Sequence, residues 1–264
     1  MSSQVPQPHV KFCLGALLPG CRPEPARSSP PARLPEPVRG VLFDTCNVLY
    51  DATLWRHWVL RVLNQLGVQT NYRCLFRVWD REYLDAVHRG EREFYEAFEA
   101  FLRSVGLTAG QIDEIKAACD ARRREADQSP RPLPGVPATL AVLHRAGLSL
   151  AAVCNCACTA AALRQRLTRF SIGPFFATIV TSIDLGRAMP DPDCYQAALE
   201  QLDLDPAEVA FVGHDTAQLA GAAALGMKTV AFNFDPDAVA DVYVEHFEDL
   251  IDVLGARRPC TAAG

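Results

Sequence analysis

The chain has 264 residues, of which 49% are hydrophobic and 22% charged, and it carries a net charge of −5. That balance fits a globular protein with a core large enough for one big domain, or for a core and a smaller companion. The acidic sign argues against a nucleic-acid binder, and no apolar run approaches the ~20 residues that a membrane span needs.

Residues 1–37 are rich in Pro, Ser and Arg, as in "PGCRPEPARSSPPARLPEP". Closely spaced prolines lack amide donors and resist both helix and sheet, so a disordered tail is expected here. The short apolar stretch Phe12–Leu18 ahead of Cys21 resembles a crude lipoprotein signal, but Lys11 is its lone flanking charge and Pro19 crowds the cleavage position. The ten cysteines are scattered, several of them in apolar runs, which suits free thiols in a reducing cytosol better than a disulfide framework.

At Val38 the pattern changes. "VRGVLFD" is a short apolar run closed by an acid, as expected for a buried parallel strand. Residues 52–128 hold no convincing strand. Helical spacing recurs in "LWRHWVLRVLNQLG", "YRCLFRVWDREYLDAVHRG", "EREFYEAFEAFLRSVG" and "TAGQIDEIKAACDARRREA", with Gly67, Gly90 and Gly106 at helix ends. Thr108 with Gln111 reads as a capping box. The tryptophans Trp55, Trp58 and Trp79, with Tyr83, read mainly as the core of this block and alternatively as a pocket lining; His57 and His88 look exposed and take no role.

From Pro134 onward helix and strand alternate. Helices are expected over 136–146, 159–169, 192–202 and up to 225, and strands in "LSLAAVCN", "FATIVTS", "EVAFVG" and "KTVAFN". Such an order predicts an α/β fold: a Rossmann-like parallel sheet core interrupted after its first strand by an all-helical block. The expected division is a tail over 1–37, a core over 38–51 and 129–255, a cap over 52–128, and a flexible C-terminal tail over 256–264.

Ligands of open α/β sheets bind outside the carboxyl ends of the strands. Asp44 ends the first strand; Cys154 and Asn155 end the second; Asp184 and Arg187 follow the third; His214 and Asp215 follow the fourth; Asp235 follows the fifth. Acids so placed suit a divalent cation with oxygen ligands, although acids also gather at strand ends simply as helix caps.

Four segments, in order, resemble the motifs of the haloacid dehalogenase superfamily across about 38–254. "VLFDTCNVLYD" is similar to a strand followed by D-x-D-G-T, and "LAAVCN" to a strand ending in a hydroxyl residue. "SIDLGRAMPDPDCYQAAL" is similar to G-x-x-K-P-D-P, and "VAFVGHDTAQLAGAAALGMKTVAF" to V-G with an acidic pair and a G-M turn. The resemblance implies a hydrolase in which Asp44 is the nucleophile that forms a covalent aspartyl intermediate on a small phosphorylated substrate. It implies Mg²⁺, weakly held by Asp44, the backbone carbonyl of Cys46, and Asp215. Cys154 and Asn155 fall at the substrate-binding positions.

The chain departs from that pattern at several points. Cys46 replaces the acid that serves as general acid/base, and a thiol is a poor donor to a leaving alkoxide. Cys154 replaces the hydroxyl residue, Met189 the lysine, His214 the first acid of the fourth motif and Gln218 its second. Arg187 is the candidate to supply the missing cation. Three readings therefore stand: a Mg²⁺-dependent phosphatase, a catalytically impaired binding or regulatory protein, and a metal-independent dehalogenase-type hydrolase. Enzyme status is open between them. The run "CNCAC" also sets three soft ligands, Cys154, Cys156 and Cys158, at alternate positions, as Zn²⁺ or Cu⁺ would accept, although without zinc-finger spacing or a clear fourth ligand.

Overall fold

The computed structural model describes residues 33–52, 54–128 and 131–256, leaving aside the side chains of 54 and 122–128. The core strands are β1 (Gly40–Asp44), β2 (Ser149–Cys154), β3 (Thr178–Thr181), β4 (Val209–Gly213), β5 (Lys228–Phe232) and β6 (Val242–Val244). They form one six-stranded sheet in the order β3-β2-β1-β4-β5-β6, with every neighbouring pair parallel.

Alternate residues of each strand face opposite sides of the sheet. Val41 and Phe43 of β1, with Ala210 and Val212 of β4, join one apolar cluster. Leu42, Val209 and Phe211 join the other. Both faces are thus covered, which is why these strands read as continuous apolar runs rather than as alternations. The covering helices are α6 (Val136–Arg145), α7 (Ala160–Arg169), α8 (Ser182–Leu185), α9 (Pro192–Leu202), α10 (Thr216–Ala224) and α11 (Leu250–Val253). From β1 the chain winds outward to β2 and β3, then returns to lay β4, β5 and β6 on the other side. The switch point of the sheet lies between β1 and β4, so the loops after these two strands meet where ligands of such sheets bind.

The inserted block holds α1 (Leu54–Gln65), α2 (Tyr72–Val78), a π-helical stretch Trp79–Leu84, α3 (Asp85–His88), α4 (Phe94–Ser104) and α5 (Ala109–Gln128). Thr108 and Gln111 make the reciprocal bonds of a capping box at the start of α5, Thr108 N to Gln111 Oε1 at 3.0 Å and Gln111 N to Thr108 Oγ1 at 3.4 Å. The block has its own apolar cluster around Trp79, Phe98, Phe101 and Ile112. Trp55 sets its ring edge-on to Phe76, Trp79, Phe94 and Phe98. The aromatics are therefore largely packing for the cap itself. Cap and core meet where α3 packs on α8. Gly90, at φ +72°, lies so close to Ile183 that a Cβ would sit 3.0 Å from its Cδ1.

Two differences from the expected boundaries follow from packing. Leu34 and Val38 are buried, Leu34 N donates to Val253 O at 3.1 Å, and Glu36 pairs with Lys228 at 3.1 Å. Residues 33–37 therefore dock on the core near α11; the rest of the expected tail, 1–32, lies outside the described residues. At the other end Ala256 is buried, and the expected C-terminal tail beyond it also lies outside them. None of the described helices is long and apolar enough to cross a membrane.

Candidate functional site

β1 delivers Asp44 to the switch point almost wholly buried. The chain then turns sharply. Leu49 N and Tyr50 N both bond Thr45 O, and Asn47 takes a left-handed φ of 60°, a conformation that asparagine tolerates better than most residues. This turn fixes the Asp44 side chain: Thr45 N donates to Asp44 Oδ1 at 2.7 Å.

The second oxygen of Asp44 faces His214, in the loop after β4, with Nδ1 3.0 Å from Oδ2. Both atoms are buried, yet they lack the alignment of a hydrogen bond, so the contact is mainly one of charge at short range. Burial by itself would lower the His214 pKa. The Asp44 carboxylate outweighs it, with Asp235 and Asp215 adding smaller effects, and raises the imidazole to about 9. At neutral pH the site thus holds an imidazolium against the carboxylate. Asp235 N bonds His214 O at 3.0 Å, and burial pushes the Asp235 carboxyl up, opposed by His214.

The neighbouring positions are occupied by contacts within the chain. Thr45 Oγ1 donates to Cys154 Sγ at 2.7 Å, and Cys46 Sγ lies 3.7 Å from the Tyr50 hydroxyl. Hydrogen bonding from Cys154 lowers the Cys46 thiol, against the opposing effect of burial. Asn155 reads the backbone of Met189 in both directions: Nδ2 donates to Met189 O at 2.9 Å, and Met189 N donates to Oδ1 at 2.8 Å. The Met189 side chain is buried in an apolar cluster. Asp184 accepts from Ala160 N and from the Thr181 hydroxyl, both at 2.7 Å, and so ties α7 to the end of β3. Arg187 pairs with Asp191 and Asp193 at 3.2 Å each and stays exposed. Asp215 caps α10, its Oδ1 accepting from Gln218 N at 2.9 Å.

Of the residues picked from the sequence, Asp44, Cys46 and Cys154 come together, with Asn155 at the rim. Arg187 is bound to its own helix start. The pairing of His214 with Asp44 is the contact that sequence reasoning missed. Its one signal was a histidine directly after the V-G of the fourth strand.

The donor set does not fit Mg²⁺. Asp44 Oδ2 faces the His214 imidazolium, which repels a dication, and one oxygen of Asp215 is spent on the α10 cap. Among the described residues no three His, Cys, Asp or Glu side chains converge into a group that could hold a metal ion. The same holds for Cys154, Cys156 and Cys158, so the soft-metal reading of "CNCAC" finds no site either.

Residues 38–226 match the family model of the haloacid dehalogenase-like hydrolases. An N-acetylmuramic acid 6-phosphate phosphatase of Pseudomonas aeruginosa is 34% identical over 132 residues, which is 47% of this chain and 58% of that protein. This chain therefore spans less than two thirds of that relative. An (S)-2-haloacid dehalogenase of Pseudomonas sp. (strain CBS-3) is 26% identical over 75% of this chain and 86% of its own. Among solved structures, the magnesium-bound HAD-hydrolase YfnB of Bacillus subtilis superposes with a TM-score of 0.65 at 18% identity, over 83% of this chain and 100% of that one.

Proposed function

As the chain belongs to the haloacid dehalogenase-like hydrolase family, we propose that it is a slow, metal-independent hydrolase of small phosphate esters in the reducing cytosol. Catalysis runs through a covalent bond to Asp44, with His214 as the resident cation. The observation that carries this reading is the buried contact of 3.0 Å between Asp44 Oδ2 and His214 Nδ1 at the switch point of the sheet. Phosphatases and a dehalogenase among its relatives support the reaction class.

Phosphoryl transfer asks little of a protein beyond positioning and stabilisation of charge. Asp44 attacks phosphorus, the bond to the ester oxygen breaks and the leaving oxygen takes a proton from solvent; water then cleaves the aspartyl phosphate, restoring the Asp44 carboxylate and releasing inorganic phosphate. His214 is a charged group positioned beside the nucleophile that can offset the approaching anion. Cys154 and Asn155 act as positioning groups, the first on Thr45 and the second on the backbone at Met189. Slowness follows from Cys46, because general acid help normally contributes ~10²–10⁴-fold.

The test is release of nitrophenol from p-nitrophenyl phosphate by the whole chain in excess chelator. Slow turnover should persist there, vanish in Asp44→Asn, and fall roughly 10²–10³-fold in His214→Gln. Activity that dies with chelator and returns with Mg²⁺ would restore the magnesium-dependent reading. A second reading is favoured by Cys46: a halide leaves without a proton, so attack of Asp44 on carbon loses nothing by the missing acid. Chloride release from 2-chloropropionate, lost in Asp44→Asn, would select it. A folded chain silent on both substrates would be a binding protein.

A further inference from the structure

We propose that Cys156 and Cys158 form a peroxide-sensitive thiol pair that closes reversibly to a disulfide beside the Asp44 site. The two sulfurs stand 3.6 Å apart, with the Cys158 thiol donating to Cys156. A disulfide needs about 2.05 Å, so closure requires a relative movement of about 1.5 Å. Cys156 is fixed from behind: its N–H donates to Ser182 Oγ at 3.0 Å, and the Ser182 hydroxyl donates to Cys156 O at 3.3 Å. Ala157 is exposed and Cys158 half-buried, so the mobile partner of the pair is on the solvent side.

The same contacts distinguish the two roles. Cys156 Sγ accepts from the Cys158 thiol at 3.6 Å and in its protonated form donates to Cys158 O at 3.3 Å; the neighbouring Cys154 and Cys158 hold its pKa down, to about 4, against the opposing effect of burial. Thiolate is the reactive form of cysteine. Cys156 is therefore the attacking sulfur and Cys158 the resolving one. The Cys156 thiolate attacks one oxygen of hydrogen peroxide, the O–O bond breaks, and hydroxide leaves, with a sulfenic acid on Cys156. The Cys158 sulfur then displaces that hydroxyl as water and the S–S bond forms. The pair gives up two electrons and one proton, and the peroxide ends as one water and one hydroxide, which takes a proton from solvent. A small-molecule thiol reverses the step by exchange.

The location gives the modification a consequence. Cys156 follows directly on Cys154, which receives the Thr45 hydroxyl, and on Asn155, which holds the Met189 backbone. Closure therefore pulls on the segment that supports the site from the β2 side. Cys194 is a built-in control: burial pushes its thiol up to about 12, and it donates to Arg187 O at 3.3 Å.

The experiment is differential labelling of the full chain. After brief exposure to hydrogen peroxide, free thiols are blocked with one alkylating reagent, the protein is reduced, and newly freed thiols take a second reagent. Fragment-ion spectra then locate the second label. It should fall on Cys156 and Cys158 in equal amounts, with Cys194 carrying the first label alone. Cys158→Ser should leave a sulfenic acid on Cys156 that a dimedone probe traps, and Cys156→Ser should leave Cys158 unoxidised. Second label on Cys46 with Cys154, or none in the 154–158 segment, would overturn the proposal. So would a dimedone adduct on Cys156 in the unaltered chain without disulfide. The unaltered chain decides the matter even where a variant fails to fold.

Discussion

His214 differs from an exposed histidine in that the fold supplies its counter-charge. Its pKa is raised from 6.5 to about 9, since Asp44 outweighs burial. A group whose pKa is raised on folding adds stability that is complete below its unfolded pKa and disappears as pH rises through the folded one. The window here is therefore pH 6.5 to about 9. At 1.36 kcal/mol per unit the upper bound is about 3 kcal/mol, and the poor alignment of the contact argues for less. Urea unfolding should show stability falling from pH 6 to pH 9.5 by more in the unaltered chain than in His214→Gln or Asp44→Asn. Equal losses in all three would mean that the imidazole is neutral in the fold. Sequence reasoning reached the members of this pair and not their contact. Asp44 and His214 are each legible as strand-end residues, whereas their approach depends on the turn at Asn47 and on the loop after β4. Met189 shows the opposite limit: a substitution legible as the loss of a cation turns out to be an apolar side chain packed into the core.

At the scale of elements, what could be read was whatever repeats. The strands β1, β2, β4 and β5 announce themselves because burial on both faces makes them apolar throughout, and α9 begins at the proline that marks it. Elements of three or four residues, β6, α8 and α11, are too short to show a period. In the sequence the π-helical stretch Trp79–Leu84 looks like ordinary helix, because its departure from α-helical spacing spans too few residues to shift the pattern. Composition places residues 33–37 in the tail, but two well-placed apolar side chains, Leu34 and Val38, suffice to anchor them. The role of Asp215 also belongs at this scale. Its carboxylate caps α10 through Gln218 N at 2.9 Å. Loss of such a cap typically costs about 1 kcal/mol. Asp215→Ala should therefore lower the free energy of denaturant unfolding by about that amount, and the loss should be the same with and without millimolar Mg²⁺. A stabilisation by Mg²⁺ that disappears in Asp215→Ala would instead make Asp215 a ligand.

At the scale of the molecule, the chain builds its apolar interior in separate parts. Two clusters clothe the faces of the sheet, and a third lies wholly within the inserted helices, sharing no residue with the other two. Trp79 is at the centre of the third. It is fully buried, and its ring contacts Trp55, Tyr83, Phe94, Phe98 and Phe101. Truncating a buried ring of this size costs roughly 3–5 kcal/mol in a cooperative fold, from lost transfer energy and the cavity left behind. Where that cost appears depends on how the parts are coupled. Cap and core pack on each other at the seam of α3 and α8, while each keeps an apolar interior of its own. Proteins open in contiguous units whose free energies differ. Trp79→Ala should accordingly reduce amide hydrogen-exchange protection in α1, α2, α4 and α5 while β1 and β4 keep theirs. The contact of His214 with Asp44 depends on the sheet and its loops, so the pH dependence of core unfolding should survive the substitution. Equal loss of protection in helices and strands would show that the seam couples them into one unfolding unit, and that the inserted block is held up by the core rather than by its own aromatic interior.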